Sequence, residues 1–135
     1  SVFRSAGNID EAIDEVTRWA DSLPGDFSID VTDHDAEVLI ELNGVLISSG
    51  LLLSASVLLA PDLTVLEYRF QLRHTDHGLL WRHDRHPGHE NEPGMRGPEH
   101  VHQMRGGRAV RLPADPVDLV GMRDALVQAN LDQAG

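Results

Sequence analysis

The sequence predicts an α+β fold, an antiparallel β-meander whose sheet is covered by an N-terminal and a C-terminal helix. Three observations lead there: a capped amphipathic segment opens the chain, a second closes it, and between them apolar residues recur at every other position in consecutive segments separated by turn residues. With 135 residues, 41% of them hydrophobic, the chain is long enough to bury one core, so residues 1–135 are expected to form a single domain.

Asn8 caps the first helix, with Glu11 placed to reach back in a capping box, and Ile9, Ala12, Ile13, Val16, Ala20 and Leu23 follow at helical spacing until Pro24 and Gly25 end it. Phe27, Ile29 and Val31 then alternate with Ser28, Asp30 and Thr32, and after the polar turn Asp33 to Asp35 the same period resumes at Val38, Ile40 and Leu42. Asn43 and Gly44 form the dipeptide that most often closes a tight hairpin, so a reversal is expected there. Residues 42–61 carry no formal charge, yet serines, glycines and Pro61 interrupt them and Leu51, Leu53, Ala55, Val57 and Leu59 alternate, which indicates a buried strand rather than a membrane span. The clearest alternation sets Leu66, Tyr68, Phe70 and Leu72 against Glu67, Arg69, Gln71 and Arg73. A turn signal at Asp76 and Gly78 precedes a short strand at 79–84, and three prolines and three glycines in 85–99 exclude regular structure. The closing helix is expected to start with Asp115 as cap and Pro116 at its first position, then to bury Leu119, Met122, Leu126 and Ala129.

The charge excludes several functions. The formal net charge is −11, so a uniformly basic nucleic-acid binder is ruled out. There is no cysteine, hence no disulfide framework, thiolate zinc site or cysteine nucleophile, and every basic residue is an arginine, which removes lysine Schiff-base chemistry. Residues 1–8 lack the apolar run of a signal peptide, and a cytoplasmic protein is expected.

The imbalance lies in the first half. Residues 1–67 hold 13 acids against Arg4 and Arg18, whereas residues 69–111 hold eight arginines, five acids and seven of the eight histidines. Such an island is often only a solvated loop, but imidazoles near pKa 6.5 beside fixed guanidiniums are also what metal-independent phosphodiester cleavage needs. One imidazole takes the proton of the attacking hydroxyl, a second protonates the leaving oxygen, and an arginine holds the charge on phosphorus. Alternation puts Arg82 and Asp84 on one strand face, with Asp84 placed to orient Arg82 or an imidazole. His100 and His102, on a strand, project to one side about 6.6 Å apart. Arg82, Asp84, His100 and His102 are therefore the catalytic candidates, and Arg69, Arg73 and Arg85 the phosphate-binding ones. No cofactor is required. The competing reading is a metal site formed by His89, His100, His102 and Asp84, with Glu99 a further possible ligand.

The string Tyr68-Arg69-Phe70-Gln71-Leu72, Leu80-Trp81-Arg82-His83-Asp84, Pro87, His89, Pro98-Glu99-His100-Val101-His102 and the helix opened by Asp115-Pro116 resembles the TumE-like family of bacterial toxin components of toxin–antitoxin modules. Arg82, Asp84, Pro87, His89, His100 and His102 match the family pattern, while Arg85 replaces an asparagine, Gly88 and Glu99 replace histidines, and Val101 replaces a lysine. The resemblance implies a small cytoplasmic toxin neutralised by a cognate antitoxin encoded beside it, often a helix-turn-helix protein. Residue chemistry favours RNA as the target, because the ribose 2′-hydroxyl is an internal nucleophile that needs only acid–base help. Two other readings differ in class: a non-enzymatic module whose Arg/His island grips an acidic partner or a metal, and a homo-oligomer in which the Leu-rich segment 51–60 pairs edge to edge.

Overall fold

The computed structural model describes residues 2–47, 49–76, 78–86, 98–105 and 108–134. Helix α1 (Ile9–Asp21) is followed by strands β1 (Gly25–His34), β2 (Glu37–Leu46), β3 (Leu52–Leu59), β4 (Val65–His74), β5 (Gly78–Arg85), β6 (Glu99–Arg105) and β7 (Arg108–Pro113), then by helix α2 (Leu119–Ala134). The seven strands form one antiparallel sheet in sequence order, β1-β2-β3-β4-β5-β6-β7, which is the expected meander. No helix among the described residues is long and apolar enough to cross a membrane.

Both helices lie on one face of the sheet. The cap of α1 forms as its sequence requires: Glu11 N–H donates to Asn8 Oδ1 at 2.9 Å, and the Glu11 carboxylate accepts from the Gly7 N–H at 2.7 Å. The buried side of α1 sets Trp19 edge-on to Phe70 of β4, with ring centroids 5.5 Å apart. Trp19 Nε1–H also donates to the Leu119 carbonyl at 2.6 Å, tying α1 to the start of α2. Ile40, Leu42, Leu53, Leu59, Phe70, Leu72 and Met122 are the largest fully enclosed side chains, so the core is the layer between sheet and helices.

The structure moves three expected features. The reversal anticipated at Asn43 and Gly44 does not occur, because β2 continues through both to Leu46. Gly44 opposes Phe27 across the β1–β2 ladder, and a Cβ built on it would stand 2.1 Å from the Asp26 carbonyl oxygen and 2.3 Å from Phe27 Cδ1. Gly44 thus gives the Phe27 ring room to lie over the strand. The chain turns after Leu46 instead, where Leu46 N–H donates to the Leu51 carbonyl at 2.9 Å and Gly50 adopts φ 70°. Helix α2 starts later than the Asp115-Pro116 signal indicates, because Asp118 makes the cap, accepting the Gly121 N–H at 2.8 Å while Arg4 Nε donates to its other oxygen at 2.7 Å. Finally, the Leu-rich strand cannot pair edge to edge with a second copy: β3 is hydrogen-bonded to β2 and β4 on its two sides, and the sheet edges are β1 and β7.

Gly44→Ala is expected to lower stability by about 1–3 kcal/mol through overpacking against backbone and ring, seen as a lower urea midpoint with an unchanged slope. Gly121→Ala, which meets only ordinary contacts from 3.4 Å outward in the first turn of α2, should not lower the midpoint.

Candidate functional site

Because side chains alternate, β4, β5 and β6 each present one row of residues to the helices and one to the opposite, open face. The register aligns these rows. On the helix side, Tyr68 pairs with Arg85, Phe70 with His83 and Leu72 with Trp81; on the open side, Arg69 pairs with Asp84 and Gln71 with Arg82. Across the next ladder, Arg82 stands opposite His102 and Asp84 opposite His100, and His102 in turn opposes Arg111 of β7. The four catalytic candidates therefore lie together on the open face.

Asp84 is the centre of the cluster. Its side chain is 4% exposed, although it sits on the face without helices. Oδ1 accepts a hydrogen bond from Arg69 Nε at 3.2 Å. Oδ2 lies 2.8 Å from Arg82 Nε, 3.2 Å from His100 Nε2 and 3.5 Å from His102 Nε2. The Arg82 contact is an ion pair whose angle does not make a hydrogen bond. A buried carboxylate is tolerated only when paired in this way.

The two imidazoles are not equivalent. Their rings meet edge to face with centroids 4.9 Å apart. The His100 side chain is buried, at 5% exposed, while His102 is 14% exposed and borders the surface beside Arg111. Arg82 Nη2 donates to His102 Nε2 at 3.0 Å. A guanidinium has only donors, so His102 Nε2 must accept, which assigns a neutral ring with its proton on Nδ1. Burial holds the His102 pKa down, to about 4, and the Arg82 charge adds to this, opposed by Asp84 and reinforced by His100 and Arg111.

The other expected residues divide between this cluster and separate positions. Arg69 is at the cluster, through Asp84. Arg73 is exposed on the same face but four residues along β4, about 13 Å from Arg69 at strand rise. Arg85 belongs to the other face, where its Nη1 donates to Glu99 Oε1 at 3.3 Å, so it does not serve the same anion as Arg82. His89 lies outside the described residues, so the metal set reduces to Asp84, His100 and His102, whose ligand atoms lie within 4.8 Å of one another. Arg82 is placed among these atoms, within 2.8 Å of the carboxylate and 3.0 Å of the imidazole, so a cation would have to displace or share the site with a guanidinium.

The sequence reading missed a second buried polar group, on the helix face. Glu99 Oε2 accepts from the Tyr68 hydroxyl at 2.5 Å and from His83 Nε2–H at 3.0 Å. Burial raises the Glu99 pKa, but the hydrogen bonds from His83, Tyr68 and Arg85 outweigh it and leave the carboxyl below its usual range. Burial, with the Glu99 hydrogen bond and charge, pushes the Tyr68 phenol up. The group borders a cavity of about 380 Å³ with apolar walls that include Val2, Val65 and Val117. Its signal was present: Tyr68 and His83 occupy apolar positions of their strands, and a polar tip there needs a buried partner.

The neutral His102 gives a pH signature. A base whose folded pKa is below its unfolded value of about 6.5 is protonated more readily when unfolded, so its contribution to stability is complete above that value and is lost as pH falls toward 4. Imidazole NMR should show the Nδ1–H tautomer with a midpoint near 4. Arg82→Ala should raise that midpoint, and Asp84→Asn should lower it further. No family model, curated protein or solved structure matches this chain.

Proposed function

We propose that this protein cleaves RNA without a metal, as the toxin component of a toxin–antitoxin module, and that the open-face cluster of Arg82, Asp84, His100 and His102 is the site. The observation that supports the reading is the hydrogen bond from Arg82 to a neutral, surface-bordering His102, with Asp84 3.5 Å from the same nitrogen. A proton arriving at His102 Nε2 ends its bond from Arg82 and creates one toward Asp84. One event thus stabilises the protonated base and frees a guanidinium for phosphate.

In this reading His102 takes the proton of a ribose 2′-hydroxyl, the 2′-oxygen attacks phosphorus, and the bond to the 5′-oxygen breaks. The products are a 2′,3′-cyclic phosphate and a 5′-hydroxyl: the leaving oxygen takes its proton from water at the open face, and the hydroxide formed takes the proton from His102, which returns the ring to its neutral form. Arg82, with Arg69 and Arg111 beside it, holds the charge on the phosphoryl oxygens. Burial is the larger cause of the low His102 pKa; the phosphate charge, set over Arg82, offsets the cationic part of the depression and moves the pKa upward. His100 is enclosed, so it acts as a positioning residue that orients Asp84 and the His102 ring, rather than as the acid paired with His102. Such an enzyme would work in the cytoplasm and be silenced by a protein antitoxin covering the open face.

A second reading, a metal-binding module, is favoured by one observation, the convergence of Asp84, His100 and His102. Cleavage assays separate the two. The purified chain, freed of any partner, should cleave RNA in excess EDTA, with His102→Ala reducing the rate about 10²–10⁴-fold and leaving the circular dichroism spectrum unchanged. Intact RNA, or cleavage abolished by EDTA and restored by a divalent metal, would overturn the proposal.

A further inference from the structure

The open face continues beyond the cluster, and the register shows how. One row across the strands runs Asn43, Ser54, Gln71, Arg82, His102 and Arg111; the next runs Glu41, Ser56, Arg69, Asp84 and His100. On the β5–β7 side these rows are cationic and imidazole-bearing. On the β2–β3 side they turn to amides, hydroxyls and one carboxylate. There they line a shallow groove of about 150 Å³ formed by Glu41, Asn43, Ser54, Ser56, Arg69 and Gln71, with the Ala55 backbone position between the serines.

We propose that this groove is a base-binding subsite for single-stranded RNA and that it selects a nucleobase bearing an exocyclic amino group. The inference rests on the RNA-cleavage reading and extends it to substrate preference. Three features of the groove point to a base rather than a phosphate. Glu41 at its far end, with Asp30 its neighbour across the β1–β2 ladder, repels phosphate, so the sugar-phosphate chain must keep to the arginine side. The distance from the Arg69 strand to the Glu41 strand is two strand spacings, about 10 Å, so a base whose phosphate contacts Arg69 reaches Glu41. The groove lining also matches base edges, since Asn43, Gln71 and the two serines both donate and accept, whereas the Glu41 carboxylate only accepts and so seeks an amino group.

Arg69 joins the two regions. Its Nε is held by Asp84 at 3.2 Å, its side chain is 53% exposed, and it lines the groove. A guanidinium fixed at one edge offers its plane for stacking. No aromatic residue stands on this face of β2, β3 or β4, so Arg69 is the stacking surface among the described residues. Base edges are accessible only in unpaired RNA, hence the single-stranded preference.

The test uses DNA oligonucleotides that contain one ribonucleotide, so that only one bond can be cleaved, with the base varied first at the ribonucleotide and then at the nucleotide after it. At one of these two positions, kcat/KM should be at least about tenfold higher for adenine, cytosine and guanine than for uracil. Glu41→Ala should reduce that ratio to below about threefold, and Gln71→Ala should weaken it independently. Equal rates for all four bases at both positions would overturn the subsite while leaving the cleavage reading intact. If no oligonucleotide is cleaved, fluorescence anisotropy with 2′-methoxy oligonucleotides decides the subsite separately. Tighter binding of amino-bearing sequences that disappears in Glu41→Ala supports it; equal binding, or none, overturns it.

Discussion

A carboxylate buried on the uncovered face of a β-sheet is costly, and the Asp84 site follows from how that cost is met. One side chain, 4% exposed, is surrounded by Arg69, Arg82, His100 and His102. Remove its charge and two guanidiniums would face one another with no counter-charge between them. Retained, it draws arginines from β4 and β5 and imidazoles from β6 into one cluster. The meander makes this possible, because adjacent antiparallel strands in strict register bring residues distant in sequence to neighbouring positions on one face.

The same strands carry a second buried carboxylate on their other face, and the pair shows how the sheet separates functions. Glu99 is satisfied by Tyr68, His83 and Arg85 at the sheet–helix boundary, where its role is to close the core's polar edge. Asp84 is satisfied by groups that border solvent. Arg82 and Arg85 are close in sequence, yet an odd separation on one strand places them on opposite faces. Proximity along the chain therefore overstated what Arg85 could do, and alternation decided the matter.

Much of the architecture was legible because it follows from periodicity. The alternation of Tyr68, Phe70 and Leu72 with arginines, and of Leu51 through Leu59, set both faces of the central strands correctly. The errors came where local turn chemistry met tertiary packing. Asn43-Gly44 has the composition of a hairpin, but its glycine answers the Phe27 ring; Asp115-Pro116 has the composition of a helix start, but Asp118 is the residue held by Arg4 and capped onto Gly121. For the site, strand alternation paired Arg82 with Asp84 and His100 with His102, and the β5–β6 register is what brings the two pairs together. The unequal burial of the two imidazoles was not visible, since alternation puts both on one face and does not distinguish them. Nor was the polar groove of β2–β4, which exists only once the register aligns Asn43, Ser54 and Gln71 with Arg82.

The arrangement unites a neutral imidazole, a guanidinium bonded to it and a carboxylate ready to receive the protonated ring, which is the equipment for moving a proton off a hydroxyl beside a phosphate. The most direct measurement is mass spectrometry of the RNA ends left after incubation with the purified chain in EDTA. Fragments ending in 2′,3′-cyclic phosphate and beginning with 5′-hydroxyl are the expected result, since His102 activates the internal 2′-oxygen. Fragments carrying 5′-phosphate, which require water as the nucleophile, would contradict the assignment of His102 to the ribose hydroxyl, and uncleaved RNA would contradict the function itself.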